Sequence, residues 1–118
     1  MMNKQIDIHE RIYKFVLRVI KLLNSLPKNN INLNIINQCS HSVTSVGAND
    51  QEADACQSKK DFILKYSITK KELQETNYWL RLIKDLNPLL EKRMESLILE
   101  GKEILLIVSK IISNTKKS

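Results

Sequence analysis

The sequence predicts an all-α fold, an antiparallel up-and-down four-helix bundle. Three observations predict it. Apolar residues recur at three- and four-residue spacing in four long stretches, and each stretch is parted from the next by a short polar or proline-bearing break. Only two glycines and two prolines occur in 118 residues, too few for many short strands and turns. The length allows a single domain over residues 1–118 with one core. Fraying is expected at about 1–5 and 114–118.

The first helix is expected from about Ile8 to Leu26. Asp7 can cap it, with Glu10 three residues later in a loose capping box. Its apolar positions are Ile8, Ile12, Phe15, Val16, Val19, Ile20, Leu23 and Leu26, and Pro27 with Lys28-Asn29-Asn30 ends it. A second helix is expected from Leu33 to about Ala55. Its stripe of Ile36, Cys39, Val43, Val46 and Ala53 is thin, and its neighbours are small or polar. Gly47 inside that helix costs about 1 kcal/mol against alanine, a cost that close approach of another backbone would offset. Ser58 begins the third helix, with Asp61 at the third position to answer it. Phe62, Tyr66, Leu73, Leu80, Ile83 and Leu86 mark its inner side, widened by Tyr78, Trp79 and Leu82, and it stops at Asn87 before Pro88. Asn87 can cap a fourth helix with Pro88 at its first position. The stripe there is Leu90, Met94, Leu97, Ile98, Ile104, Leu105, Val108, Ile111 and Ile112. Gly101 lies on it and hints at close packing, and the polar tail from Ser113 to Ser118 should fray.

The net charge of +6 is uneven. Met1–Asn30 holds six basic and two acidic residues, Ser58–Asn87 seven and four, and Pro88–Ser118 six and four. Ile31–Gln57 holds three acidic residues and no lysine or arginine. A solvated surface helix carries several cations, so the second helix is expected to be covered on more than one side, the extra cover coming from another subunit. An exposed face merely rich in Asn and Ser is the alternative. On the first helix Arg11, Lys14, Arg18 and Lys21 fall three and four apart, one basic stripe opposite the core. Repeated around a ring of subunits, that stripe would attract a phosphate backbone of RNA or DNA. A simply solvated face is the alternative.

Chemistry-bearing residues are sparse. Ser45, Asn49 and Glu52 share a face of the second helix, and Glu72 and Glu75 lie one turn apart on the third. Di-metal bundles need Glu-x-x-His motifs on facing helices, and none occurs. His9 and His41 have no ligand at zinc spacing. Ser45, Asn49, Glu52 and Glu72 are therefore expected to form a polar seam fixing helix register or subunit contacts. Ser45 with His41 four residues earlier lacks the sharp turn and free amides of an oxyanion hole. No glycine-rich phosphate loop is present. Trp79, with Tyr78 and Arg81, could stack on bases but has packing as its ordinary role. Cys39 and Cys56, roughly 25 Å apart on a helix, are beyond the ~7 Å limit of a disulfide. No catalytic, cofactor or metal residue is expected. No segment reaches the ~20 apolar residues of a membrane span, and no leader pattern precedes the first helix, so a cytoplasmic protein is expected.

The stretch "SVTSVGANDQEADACQSKKDFILKYSITKKELQETNYWLRLI", Ser42 to Ile83, is more specific than any periodicity. Thr44–Asn49 with Glu52 and Ala53, then Ser58–Phe62, then Lys71, Glu72, Glu75, Thr76 and Tyr78–Leu80 resemble the pattern of the bacterial four-helix bundle proteins named after intervening sequences in 23S rRNA genes. The resemblance implies an up-and-down bundle that assembles as a homopentamer. It also implies kinship with the accessory proteins of diversity-generating retroelements, which are basic and bind nucleic acid and a reverse transcriptase. The chain departs from the pattern at Ser40 and His41, where members often carry arginine, and no role resting on that arginine carries over. The function expected is a non-enzymatic homo-oligomeric scaffold touching nucleic acid through its basic face, or alternatively an adaptor for an unidentified protein.

Overall fold

A computed structural model describes residues 7–118; the expected fraying at 1–5 lies outside them. Four α-helices follow one another: α1 (Ile8–Ser25), α2 (Asn30–Ala55), α3 (Lys59–Leu86) and α4 (Glu91–Lys117), with a 3-10 turn at Pro88–Leu90 before the last. There is no strand among the described residues, and no described helix is long and apolar enough to cross a membrane. The short connections force consecutive helices to run up and down. Neighbours go round in order, α1 beside α2 and α4, and α3 beside α2 and α4, with α2 and α3 the most intimate pair.

Local chemistry sets the helix ends. Asp7 accepts from the backbone N–H of His9 at 3.0 Å to start α1, and Ser58 accepts from Asp61 N–H at 3.1 Å to start α3, as expected. α2 begins earlier than Leu33. Asn29 is its cap, accepting from Asn32 N–H at 2.9 Å, while Asn32 Nδ2 donates to the Pro27 carbonyl. What reads as a linker of asparagines is a cap followed by a helical turn. Asn87 does not cap α4. Its amide turns back to donate to the Ile83 carbonyl at 2.9 Å, and the chain passes through the 3-10 turn before α4 starts at Glu91. Nor does α4 end at Ile112: it stays helical to Lys117. Lys116 and Lys117 suit the negative end of the helix dipole. Lys59 of α3 donates to the Ser118 carbonyl and ties that end down.

One apolar core runs the length of the bundle. It is built from Ile12, Phe15, Val19, Leu22 and Leu23 of α1, Ile35, Cys39, Val43, Val46 and Ala53 of α2, Tyr66, Leu73, Leu80 and Ile83 of α3, and Met94, Leu97, Ile104, Val108 and Ile112 of α4. Each large aliphatic or aromatic side chain buried there contributes about 1.5–3 kcal/mol. Two expected core positions differ. Ile35 is buried on α2, with Ile36 half-buried against the core beside it, and Leu86 is exposed because α3 ends beside it. Tyr78 faces outward. Trp79 is half-buried against the core, with its Nε1–H donated to Glu75. Cys39 and Cys56 are both free thiols. Burial, reinforced by the nearby charge of Glu75, pushes the Cys39 thiol up to about 12.

The two glycines behave differently. A methyl on Gly101 would run into the Asn77 side chain and meet Phe15 Cζ at 3.1 Å, so any larger residue there must displace Asn77. A methyl on Gly47 would meet only Val16 Cγ2, at an ordinary 3.4 Å. No backbone inside the chain approaches Gly47 closely enough to require it.

Candidate nucleic-acid interface

The four residues of the basic stripe meet different fates, because α1 packs beside α4. Arg11 donates from Nε and Nη2 to the two carboxylate oxygens of Glu100, each at 2.8 Å, and from Nη2 to Glu103 at 2.7 Å. A two-point guanidinium–carboxylate pair of this kind is the strongest ordinary ion pair. Its charge is spent inside the molecule and is not offered to a ligand. Arg18 makes one hydrogen bond, to Ser96 Oγ at 2.8 Å. Lys14 and Lys21 are exposed, and no carboxylate pairs with either among the described residues.

The stripe is replaced by a cleft. Arg18 and Lys21 of α1 stand across a groove of about 190 Å³ from Arg93 of α4, over a floor of Leu22, Met94 and Leu97. Arg93 cannot be assigned to the stripe from sequence, because that needs the register of α4 against α1. On the other flank of α4, Arg81, Lys84 and Lys102 border a second groove of about 280 Å³ between α3 and α4. Both flanks of α4 therefore carry three cations.

The Arg11–Glu100 pair makes a testable contribution to stability. The hydrogen bonds from Arg11 hold the Glu100 carboxyl below the usual carboxylate range. A carboxyl that titrates lower in the folded chain than in the unfolded one adds stability above its unfolded value, and that stability is lost as pH falls through its folded value. Arg11→Met is expected to cost about 1 kcal/mol at neutral pH. Urea denaturation of the two proteins should converge as pH falls through about 4 and below. A constant difference down to strong acid would rule out the pair as its source.

The seam residues separate in the same way. Asn49 Nδ2 donates to the carbonyl and Oγ of Ser45, a contact within α2 itself. Glu52 reaches across to Lys65 of α3 at 2.7 Å, and its hydrogen bond holds the Lys65 ammonium up from its ordinary range. Glu72 is half-buried, and its carbonyl accepts from Thr76 Oγ1. The polar contacts buried between α2 and α3 come from other residues. Ser42 Oγ lies 2.8 Å from Thr76 Oγ1. The Tyr66 hydroxyl donates to Asp50 Oδ1 at 2.8 Å. Asp50 is fully buried; His9 Nδ1 of α1 lies 2.9 Å from the same oxygen, and His9 Nε2 lies 3.2 Å from Asp54 Oδ1. Burial first, then the bond to Asp50, pushes the Tyr66 phenol well above its usual range. The readable sign of this cluster is that Asp50 falls in register with the buried positions 39, 43, 46 and 53.

These surfaces define a basic up-and-down four-helix bundle, with no group of three or more His, Cys, Asp or Glu placed to hold a metal ion among the described residues. The chain belongs to the family of 23S rRNA-intervening sequence proteins, whose model matches residues 4–110. A solved structure from Bacteroides thetaiotaomicron VPI-5482, described as a protein of unknown function from the S23 ribosomal protein family, is 32% identical. It superposes with a TM-score of 0.80 over 90% of this chain and 95% of that one. No curated protein matches the chain.

Proposed function

We propose that this chain is a non-enzymatic cytoplasmic scaffold that assembles with copies of itself, as a pentamer, and holds a nucleic-acid backbone along the basic flanks of α4. The observation that supports this reading is the α1–α4 groove, where Arg18, Lys21 and Arg93 converge with no carboxylate partner among the described residues. Lys14 extends the same face by one turn of α1. Cations grouped around a narrow groove attract phosphates, and repetition of the groove around an assembly sums the field.

The test is an electrophoretic shift with short RNA and DNA duplexes across a salt series. Binding is expected at low salt and should weaken steeply on going from about 50 to 200 mM. Reversing Arg18, Lys21 and Arg93 to glutamate should lower the affinity at least about tenfold and flatten the salt slope by about one unit per cation removed. Binding that survives the triple reversal would rule out this groove as the contact. No shift with either duplex at low salt would favour the adaptor reading, in which the partner is a protein.

A further inference from the structure

We infer that the groove between α1 and α2 is the seat for the outer ridge of α4 from a second copy of the chain, an inference that rests on the self-assembly proposed above. The groove holds about 280 Å³ and is largely apolar, walled by Ile12, Tyr13 and Val16 on one side and Thr44, Gly47 and Ala48 on the other. It carries no lysine or arginine. At its lower end it opens into a wider pocket bordered by Asp7, Glu10 and Asp54, beside the buried Asp50 whose Oδ2 has no hydrogen-bond partner. The mouth of the groove is therefore acidic in a chain of net charge +6, although the neighbouring ends of α3 and α4 carry lysines.

The ridge has the complementary features. Leu99 and Leu106 lie two turns apart on the outer face of α4, 59% and 72% exposed. Lys110 stands one turn beyond Leu106, and Glu103, between the two leucines, already has its charge paired with Arg11 of its own chain. Apolar residues would meet the apolar groove while Lys110 approaches its acidic end. The heights also agree. Arg11 of α1 pairs with Glu100 and Glu103, and Arg18 meets Ser96, so the stretch from Leu99 to Leu106 lies level with residues 7–14 of α1. A copy rotated about an axis along the bundle thus brings the ridge to the groove without sliding.

Gly47 supplies an independent reason. Glycine inside a helix costs about 1 kcal/mol, and no contact within the chain requires it. A leucine from outside, pressed against the floor of the groove, does require it. Groove and ridge are separate surfaces of one chain, so every copy uses both, and the contact repeats head to tail until a ring closes.

Sedimentation or light scattering on four forms tests this. The wild type should have a mass that is a multiple of 13.7 kDa. Gly47→Leu, which fills the groove, and Leu106→Glu, which charges the ridge, should each fall to the single-chain mass with unchanged helical circular dichroism. Leu64→Glu, on the equally exposed outer face of α3, should keep the wild-type mass. Mixing the Gly47→Leu and Leu106→Glu chains should give a two-chain species, because each retains the surface that the other lacks. A monomeric wild type overturns the assembly reading itself. An oligomeric wild type whose Gly47→Leu and Leu106→Glu forms keep its mass overturns this interface and leaves assembly standing. So does dissociation by Leu64→Glu instead, or a mixture that stays monomeric.

Discussion

Removing the Tyr66 hydroxyl by Tyr66→Phe is expected to destabilise the bundle by about 2 kcal/mol, and replacing Asp50 by valine in the same chain is expected to restore most of that loss. The reason lies in the accounting of one buried carboxylate. Asp50 has no solvent exposure. Its Oδ1 accepts the Tyr66 hydroxyl at 2.8 Å and faces His9 at 2.9 Å, while its Oδ2 has no partner. A hydrogen bond contributes about 0.5–1.5 kcal/mol net, and an orphaned buried polar group costs about 1–3 kcal/mol. Tyr66→Phe removes one of the two polar neighbours of Asp50 Oδ1. Asp50→Val alone is expected to cost a similar amount, because it strands the buried Tyr66 hydroxyl. The double replacement removes donor and acceptor together, and apolar substitution of a whole buried polar group is often close to neutral. His9 is then free to turn to water, since its side chain already keeps 23% of its exposure. Urea denaturation of the four proteins gives the coupling energy directly. Strictly additive losses would mean that the bond between α2 and α3 adds nothing beyond the packing of its members.

This pair marks the boundary of what the sequence discloses. The helices are legible because amphipathic spacing reports burial along a single element, and Ser58 with Asp61 or Asp7 before Ile8 reports a cap locally. The misjudged helix starts are failures of local competition. Asn29 could be linker or cap, and only the bond it accepts from Asn32 decides. Asn87 could cap α4 but is drawn back by the Ile83 carbonyl. The site depends on a different kind of information. Arg11 and Arg18 are equivalent along the sequence stripe, yet one is consumed by Glu100, 89 residues away, and the other keeps donors for a ligand. Arg93 joins the cationic groove only through the register of α4 against α1. Asp50 betrays itself as a charge on an inward position, whereas its partners Tyr66 and His9 sit on other helices. Periodicity settles which way a residue faces; pairing across helices settles what it can do.

Gly101→Val is expected to be the more damaging change, lowering stability by about 3 kcal/mol. Gly101 is buried on α4 where it passes Asn77 of α3 and Phe15 of α1. The first added carbon already collides with the Asn77 side chain and crowds Phe15 Cζ at 3.1 Å. Asn77 must withdraw its amide and give up the bond from Nδ2 to the Gly101 carbonyl at 3.1 Å, worth about 1 kcal/mol. The Phe15 ring, 1% exposed, sits in the core and must shift among its packed neighbours. Overpacking of this kind costs about 1–3 kcal/mol, while the gain in helix propensity of valine over glycine returns only about half a kilocalorie. For a domain of this size the net loss corresponds to a fall in melting temperature of about 10 °C. Phe15→Leu in the same chain retracts the far end of the ring and should recover part of the loss, although by itself it leaves a void and destabilises. The sign of that coupling is the decisive measurement. Losses that merely add would place the strain on Asn77 alone, and full stability in Gly101→Val would mean that α4 can move away from α1 and α3 at little cost, contrary to the tight three-helix contact at this glycine.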